Sequence, residues 1–541
     1  MLQSLGKLRA RIVDSAPALK PGSRHYPWLV LAATSVTAFM AMLDTTIVNV
    51  AINKLTVAFG VSTDATEWVI TGYMLAFCVM LPTSGWLADR FGYKRIFLLG
   101  IALFTAGAFL QGRAWSMGTL IAFRAVQALG GGLIQPLSMA IVTIEFPPRK
   151  RALALGFWAI ASAASISVGP TLGGYLIDNY SWQSIFDVNV PFGLVGFFAA
   201  ALIMREHKAE STPAFDTLGL CGITVFLCAL ILGLSEGNAA WNTDGWASKF
   251  ILGCFGLSAI GFVVFVVNEL AIEDPLVDLR LFADRNFGLS AIILLLFSIG
   301  LFGSVFLFPL YLQVGLGYTA LQSGIVSLPM GIITAIVAPM AGAISGRSGN
   351  KTLLWIGILI MALSFYMNSM LTLFSESVQI IAPVLLRGMG IGLIFSTSTT
   401  VAIGRIPTEK MAQASSLTNI IRQIGGSIGI AWFSSSLTRL TKVHLAGLGQ
   451  GMGLYSGAFQ STAKRLSSFA AGAVGGTASM AGRRAQSLIL ARAEKFSFVE
   501  ALSNIFIVGT AIVLATVVPL FFIREPKPAA AEPAAPTGVD P

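Results

Sequence analysis

The chain alternates between long apolar stretches and short polar segments. Each apolar stretch is about 20 residues long, which is enough for a helix to cross a bilayer. Because lipid offers no hydrogen-bond partner to a backbone amide, these stretches are predicted to be helices. The predicted spans, fourteen in all and with boundaries good to about three residues, are 28–51, 67–87, 96–113, 117–145, 152–177, 187–204, 216–235, 249–269, 287–313, 321–345, 352–374, 377–403, 411–436 and 498–523.

The composition predicts an all-α integral membrane protein. Hydrophobic residues make up 55% of the 541 residues and charged residues 11%, whereas a soluble domain has about a quarter charged residues. The four cysteines lie in apolar stretches, without the spacing of a disulfide framework or a metal site. The sequence has no nucleophile motif, phosphate-binding loop or metal cluster, so we expect no enzyme activity and no cofactor. An ion gradient would then drive any transport.

The basic residues are concentrated in alternate loops, and this pattern predicts the topology. With the N-terminus inside, the inner segments hold most of them, and the short outer loops keep only Lys54, Arg113 and Lys249. This asymmetry follows the positive-inside rule and predicts that both termini are cytoplasmic. The net charge of +10 is therefore a topology signal, and we expect no nucleic-acid partner.

Two sequence patterns recur in the two halves of the chain. The segment Gly85–Arg95 has a weaker copy at Gly342–Lys351, and Phe123-Arg124 is echoed by Leu386-Arg387. Parallel repeats of this kind place two helix bundles around a site near the middle of the membrane. The predicted regions are a cytoplasmic N-terminal segment (1–27), a six-helix bundle (28–205), a two-helix insert with linkers (206–286), a second six-helix bundle (287–523) and a disordered cytoplasmic tail (524–541).

One outer loop, residues 437–497, is long and rich in Gly, Ala and Ser. One interpretation is a mobile connector with an amphipathic helix around Ala481–Lys495. The alternative is a lid or a docking surface for a periplasmic adaptor.

An acidic residue, Asp44, lies inside the first predicted span. A carboxylate at membrane depth is costly unless it is paired, hydrated or protonated, so intramembrane acids are functional candidates. Burial disfavours the charged form of the carboxyl group, whereas a nearby cation favours it. We therefore regard Asp44 as a candidate proton carrier. The alternative is a packing residue that hydrogen-bonds to Thr45 or to a neighbouring helix.

Arg124, a few residues into the fourth span from the outside, is the candidate counter-charge. An arginine stays charged at any accessible pH, so it can act on the acid but cannot carry the proton. The alternative is a structural arginine that binds backbone carbonyls at helix ends. The acids at outer helix ends, expected to be solvated mouth residues, are Glu67, Asp178 and Asp187.

Four segments match motifs of one transporter family in the right order and on the right spans. They are Leu43–Ala51 in the first helix, Gly85–Arg95 after the second, Leu120–Gly130 in the fourth, and Gly156 with Ser167–Gly174 in the fifth. From about Trp28 to Arg524 the chain resembles the major facilitator superfamily. Within it, the chain is similar to the fourteen-helix drug:proton antiporter branch, the EmrB/QacA-like multidrug exporters.

The resemblance implies the major facilitator fold in a multi-pass protein of the bacterial cytoplasmic (inner) membrane. It also implies proton-coupled export by alternating access, with Arg124 modulating proton uptake. The loop after the second helix would latch the cytoplasmic side through Asp89 in the outward-facing state; a plain basic turn is the alternative. The candidate latch residues are Gly85, Asp89, Arg90, Gly92, Lys94 and Arg95.

The fifth span combines a proline, which kinks a helix, with glycines, which allow another helix to approach closely. We expect a seam that moves during transport and prevents leak, with ordinary close packing as the alternative. The residues of this antiporter motif are Gly156, Gly169, Pro170, Gly173 and Gly174.

The substrate cavity is expected to be apolar and adaptable, because soft and aromatic side chains suit varied hydrophobic guests. Arg387 echoes Arg124 without an evident acidic partner. The sequence places no acid deep in the spans of the second bundle, which argues against dicationic substrates. The candidate cavity residues are Phe39, Met40, Tyr73, Phe77, Gln127, Trp158, Phe306, Phe308, Tyr311, Arg422 and Trp432.

Three hypotheses for function remain. The first is a proton-coupled multidrug antiporter that exports hydrophobic or amphipathic compounds. The second is a dedicated proton-coupled exporter of one endogenous metabolite or lipid-like molecule. The third, of another class, is a membrane sensor or scaffold that transports nothing. The expected partners are small-molecule substrates and membrane lipids.

Overall fold

The computed structural model describes residues 23–208, 215–237, 241–273, 275, 277–345, 349–403, 406, 411–451, 461 and 478–523. Every regular element in these residues is helical, as the apolar pattern predicted. The predicted tail 524–541, most of the N-terminal segment and parts of the outer loop lie outside the described residues.

The first bundle contains six long helices and two short ones. They are α1 (Tyr26–Ile47, continued by a 3₁₀ turn at Val48–Val50), the short α2 (Ile52–Phe59), α3 (Thr63–Phe91), α4 (Tyr93–Gln111), α5 (Met117–Glu145), α6 (Pro148–Asn179), the short α7 (Ser184–Asp187) and α8 (Asn189–Ile203). Helix α5 packs against α1, α3 and α4, while α6 packs against α1. Helix α8 packs against α1 and α4.

The two inserted helices pack against each other. They are α9 (Thr217–Glu236) and α10 (Lys249–Ala271), and 3₁₀ turns lie at Gly245–Ala247 and Leu279–Ala283. Many apolar side chains of α10 are exposed, among them Leu252, Ile260 and Val267. In a helix of this hydropathy, such a surface suits contact with lipid.

The second bundle repeats the packing order of the first. Its helices are α11 (Arg285–Leu310, continued by a π-helical turn at Tyr311–Gly315), α12 (Ala320–Ser345), α13 (Asn350–Ser369), α14 (Ser377–Ile403), α15 (Met411–Gly451), α16 (Ala478–Ala515) and the short α17 (Val517–Phe522). Helix α14 packs against α11, α12 and α13, as α5 does against its own first three long helices. Helix α15 packs against α11, and α16 packs against α11 and α13.

The bundles meet along two seams, α6 with α12 and α3 with α15, and α9 lies against both helices of the second seam. Hydrogen bonds join the bundles at their outer ends. The backbone N–H of Leu321 donates to Oδ2 of Asp178 at 2.8 Å, and Nε2 of Gln313 donates to the carbonyl of Val50 at 3.0 Å. The outer halves are therefore in direct contact.

Capping side chains explain several helix starts. Ser116, Asp216 and Asp284 each accept a hydrogen bond from the backbone N–H three residues further on, at the start of α5, α9 and α11. Gly92, between α3 and α4, has a φ of 104°, a conformation that other residues rarely adopt.

Twelve helices of the described chain are long and apolar enough to cross a membrane. They coincide with twelve of the predicted spans. The other two predictions, 152–177 and 411–436, fall on α6 and α15, which are helical but are not among the twelve. The total of fourteen therefore stays a prediction.

Some predicted boundaries are wrong at the outer side. The span predicted at 352–374 ends at Ser369, and the helix expected around 481–495 is continuous with the last span in α16. Helix α15 also continues past 436, to Gly451. These two helices pack against each other, and His444 of α15 bonds to Asn504 of α16 at 2.9 Å. Packing extends both helices beyond their apolar windows.

Candidate proton-coupling site

Asp44 lies in α1 and is fully buried. Its Oδ2 accepts a hydrogen bond from Nη1 of Arg124 at 2.5 Å. Its Oδ1 accepts from Nε2 of Gln127 at 3.0 Å and from Nδ2 of Asn189 at 2.9 Å. One cation and two amides, from α5 and α8, therefore hold the carboxylate.

Arg124 is 1% exposed and uses its other donors within the same bundle. Its Nε donates to the carbonyl of Val69 at 3.1 Å, and Nη1 also donates to Oε1 of Gln127 at 2.7 Å. The ring of Tyr73 lies 4.3 Å from its Cζ, close enough for a cation–π interaction. The arginine is thus bound to α1 and α3 as well as to its own helix.

Sequence analysis missed two members of this network, Asn189 and Gln111. Asn189 is the first residue of α8, and Nε2 of Gln111, the last residue of α4, donates to Oε1 of Gln127 at 2.7 Å. An amide inside a span has to find a partner, which is the signal that could have identified both. Many spans carry such amides, so that signal alone does not say which of them meet.

The electrostatics of the site favour an intact pair. Removing one partner of a buried ion pair costs about 3–5 kcal/mol, because the other charge is left uncompensated. Because an arginine stays charged, the site can change its charge only by binding a proton at Asp44, and this proton leaves Arg124 without its counter-charge. Within the described ranges, no group of three or more His, Cys, Asp or Glu is placed to hold a metal ion.

The antiporter motif lies between Asp44's helix and the second bundle. A Cβ atom on Gly169 would overlap Thr46, and one on Gly173 would overlap Ile47 and Val50. A Cβ atom on Gly174 would overlap the backbone of α12. The glycines thus allow α6 to approach both α1 and α12. Gly156 also lies in α6, but its surroundings are not part of the description.

The loop motif Gly85–Arg95 is attached to the end of α8 in its own bundle. Nζ of Lys94 donates to two backbone carbonyls there, at 2.6 and 2.8 Å, and the backbone N–H of Lys94 donates to Glu206 at 2.9 Å. Asp89 accepts from the hydroxyl of Tyr93 at 2.9 Å. Of the candidate latch residues, Gly85, Arg90 and Arg95 are exposed. The cytoplasmic latch stays a prediction.

Several candidate cavity residues of the first bundle lie in its packed interior. Gln127 and Tyr73 border the Asp44–Arg124 pair, and the ring of Phe77 stacks on Tyr73 with centroids 5.9 Å apart. Met40 is fully buried. The other two are Phe39, which packs on Phe192 with ring centroids 6.4 Å apart, and Trp158, whose Nε1 donates to Ser138 at 3.0 Å.

The candidate cavity residues of the second bundle also contact other side chains or the backbone. The hydroxyl of Tyr311 donates to the carbonyl of Thr372 at 2.8 Å, and Trp432 packs on Phe433 with ring centroids 5.3 Å apart. Nη2 of Arg422 donates to Asn419 at 2.8 Å, and the Cζ of Arg422 lies 4.8 Å from the centroid of the Phe395 ring.

A cavity of about 30 Å³ lies between the two bundles. Of the candidate cavity residues, Phe308 lines it, and so do Arg387 and the motif residue Pro170. The role of the other candidates in substrate binding stays a prediction.

The prediction that Glu67 is a solvated mouth residue is wrong. Its side chain is fully buried, and its Oε1 accepts from the hydroxyl of Ser235 at 2.9 Å. The reason is that α9 covers this face of α3, which the hydropathy of α3 does not indicate. Asp187, in contrast, is partly exposed and pairs with Arg113 at 2.9 Å.

Comparison with known proteins agrees with this architecture. The family described as the Major Facilitator Superfamily matches residues 34–430. The uncharacterized MFS-type transporter YhcA of Bacillus subtilis (strain 168) is 34% identical over 418 residues, which are 77% of this chain and 78% of YhcA. The probable multidrug resistance protein EmrY of Escherichia coli (strain K12) is 30% identical over 460 residues, 85% of this chain and 89% of EmrY.

A solved structure shares the fold. It is that of a bacterial homologue of the human lysosomal transporter Spinster, in an inward-facing and unoccupied conformation, with a TM-score of 0.61 and 18% identity. The match covers 94% of this chain and 100% of that one. The helical architecture and the family match together establish that the chain belongs to the Major Facilitator Superfamily, as a multi-pass protein of the inner membrane.

Proposed function

We propose that the chain is a proton-coupled multidrug efflux antiporter that exports hydrophobic and amphipathic compounds by alternating access. Its family, and a relative named as a probable multidrug resistance protein, support the export. The observation that carries the proton coupling is the geometry of Asp44. This buried carboxylate is held by Arg124, Gln127 and Asn189, in a helix that packs against α6.

Proton binding at Asp44 changes the hydrogen bonds that join α1 to α5 and α8. The ionised carboxylate accepts three side-chain hydrogen bonds. A proton on either oxygen removes the negative charge opposite Arg124 and turns one acceptor into a donor. The bonds that tie α1 to α5 and α8 then weaken, and Arg124 lacks a counter-charge. Because a buried uncompensated charge is costly, the protonated site favours another arrangement of these helices.

Helix α6 is positioned to pass this change to the second bundle. Its glycines contact α1 within a few residues of Asp44, and its outer end contacts α12. The hydroxyl of Thr46 donates to the carbonyl of Ser165 at 3.2 Å, and that of Thr171 donates to the carbonyl of Gly324 at 3.2 Å. Close-packed contacts of this kind move between discrete arrangements rather than deform continuously.

The substitution Asp44→Asn tests the proton role. Asparagine keeps the size of the side chain but cannot bind and release a proton. In proteoliposomes with an imposed pH gradient, we expect the variant to lose pH-driven export of every transported member of a compound panel. Purified wild-type protein should release protons when a substrate is added, and Asp44→Asn should not.

Asp187→Asn is the matched control, because it makes the same change in a partly exposed acid at the outer mouth. We expect this variant to export normally. Full pH-driven export by Asp44→Asn would contradict the proton role. If the wild-type protein moved only one compound of the panel, a dedicated exporter would be favoured. If it moved none, a sensor or scaffold would be favoured.

A further inference from the structure

Helix α14 carries an arginine, Arg387, whose donors are not all used. Its side chain is 1% exposed. Within the described residues, its Nε and Nη2 atoms have no hydrogen-bond partner. An arginine stays charged, and a buried charge without a partner is costly. A hydrogen-bond acceptor, preferably a negatively charged one, would therefore stabilise the buried Arg387.

Two aromatic rings lie against the guanidinium of Arg387, but they do not supply the missing acceptor. Its Cζ lies 5.0 Å from the centroid of the Phe308 ring and 5.8 Å from that of the Phe365 ring. Cation–π attraction offsets part of the cost of burial. An aromatic ring is at most a weak acceptor for an N–H group, so Nε and Nη2, which are themselves buried, still lack a full hydrogen-bond partner.

Arg387 lines the cavity between the bundles, whose volume is about 30 Å³. The first bundle contributes Thr46, Asn49 and Pro170 to the lining, and Thr46 lies two residues from Asp44. A cavity of this size holds little more than a water molecule. A ligand can therefore reach Arg387 only when the bundles separate and the cavity widens.

The residues that line the cavity suit a ligand that has one negatively charged group and is otherwise apolar. A guanidinium binds a carboxylate through charge-assisted hydrogen bonds, and much of the remaining lining is apolar, including Val305, Met330 and Val384. We propose that Arg387 binds the anionic head of exported compounds, and that lipophilic monoanions such as aromatic carboxylates are a substrate class. This inference rests on the proposed export function and names its ligand chemistry.

Equilibrium binding to the full chain in lipid nanodiscs tests this assignment. The probes are naphthoate and naphthamide, which share a ring system and differ in charge. In chloride-free gluconate buffer, we expect the wild-type protein to prefer naphthoate. Arg387→Gln should weaken naphthoate binding about tenfold or more, because it removes charge-assisted hydrogen bonds, and should leave naphthamide binding unchanged. Arg387→Lys should retain part of the preference.

Arg492→Gln is the matched control. Arg492 also lies over a ring, that of Phe374 at 5.6 Å, but it is exposed. This variant should bind both probes as the wild-type protein does. Equal affinity of the wild-type protein for the two probes, or naphthoate binding unchanged in Arg387→Gln, would overturn the inference.

Chloride distinguishes a substrate site from a site for free inorganic anions. If chloride raised the unfolding temperature of the wild-type protein but not of Arg387→Gln, and naphthoate showed no preference, the substrate assignment would be wrong. If the wild-type protein showed no preference for naphthoate while it still exported other panel compounds, this inference alone would be refuted. Full export by Asp44→Asn would instead refute the proposed function, whatever the result with naphthoate.

Discussion

The two bundles each bury one arginine on their fourth long helix, and they surround it differently. In the first bundle, Arg124 of α5 meets Asp44 of α1 at 2.5 Å. In the second, Arg387 of α14 meets the ring of Phe308 at 5.0 Å. Phe308 lies on α11, which has the place in its bundle that α1 has in the first. The repeat therefore keeps the cation and an aromatic neighbour but lacks the acid.

This difference underlies the two roles that we propose for the two sites. The first site is neutral within the protein, so a proton is the simplest species that changes its charge. The second site has a positive charge whose Nε and Nη2 find no acceptor in the described chain, so a ligand can complete it. The comparison teaches that the same position in two repeated bundles can carry a proton-binding ion pair in one bundle and a ligand-binding arginine in the other.

The largest expected effect comes from removing the cation of the first bundle, and the same change in the second bundle is its comparison. Arg124→Gln leaves Asp44 buried without its counter-charge, which should cost about 3–5 kcal/mol of stability. Arg387→Gln removes a charge that lacks a full set of partners, so it should not lower stability. Thermal unfolding of the purified proteins measures both. The double variant Asp44→Asn with Arg124→Gln should recover part of the stability that Arg124→Gln loses. Equal losses of stability in Arg124→Gln and Arg387→Gln would refute the comparison.

A smaller effect is expected from the amide that completes the first site. Asn189→Ala removes one of the two amide donors to Oδ1 of Asp44, which should cost about 1–3 kcal/mol. The control is Asn179→Ala, since Asn179 is exposed and donates to the carbonyl of Tyr175. Thermal unfolding should show little change for that variant. An equally small change for Asn189→Ala would mean that Asp44 does not depend on this donor.

The smallest expected effect comes from giving the second bundle its missing acid. Phe308→Asp and Phe308→Asn delete the same ring, but only the aspartate supplies a negative charge to Arg387. We expect the aspartate variant to bind naphthoate about tenfold more weakly than the asparagine variant, a difference of about 1.4 kcal/mol. Equilibrium binding in nanodiscs measures this ratio. Equal affinities would show that Arg387 is not where the anion binds.

The sequence predicts the helices well because hydropathy belongs to each segment on its own. It also singles out Asp44 and Arg124, since a charge inside a span is rare and costly. Contacts between segments are harder to predict. The burial of Glu67 depends on α9 lying across α3, and the role of Asn189 depends on where α8 begins. The extension of α15 to Gly451 likewise depends on its packing partner, α16.

The contacts that α9 makes with α3 and with α15 differ in kind, and this difference bears on how the inserted helices would move during alternating access. Towards α3, Ser235 donates to Glu67 at 2.9 Å, and Trp68 donates to Glu236 at 3.3 Å. Ile223 and Leu227 of α9 belong to an apolar cluster that also includes residues of α15. Apolar surfaces slide past each other at small cost, whereas buried hydrogen bonds resist separation. We therefore expect the inserted pair to move with the first bundle, and the contact between α9 and α15 to be the one that changes.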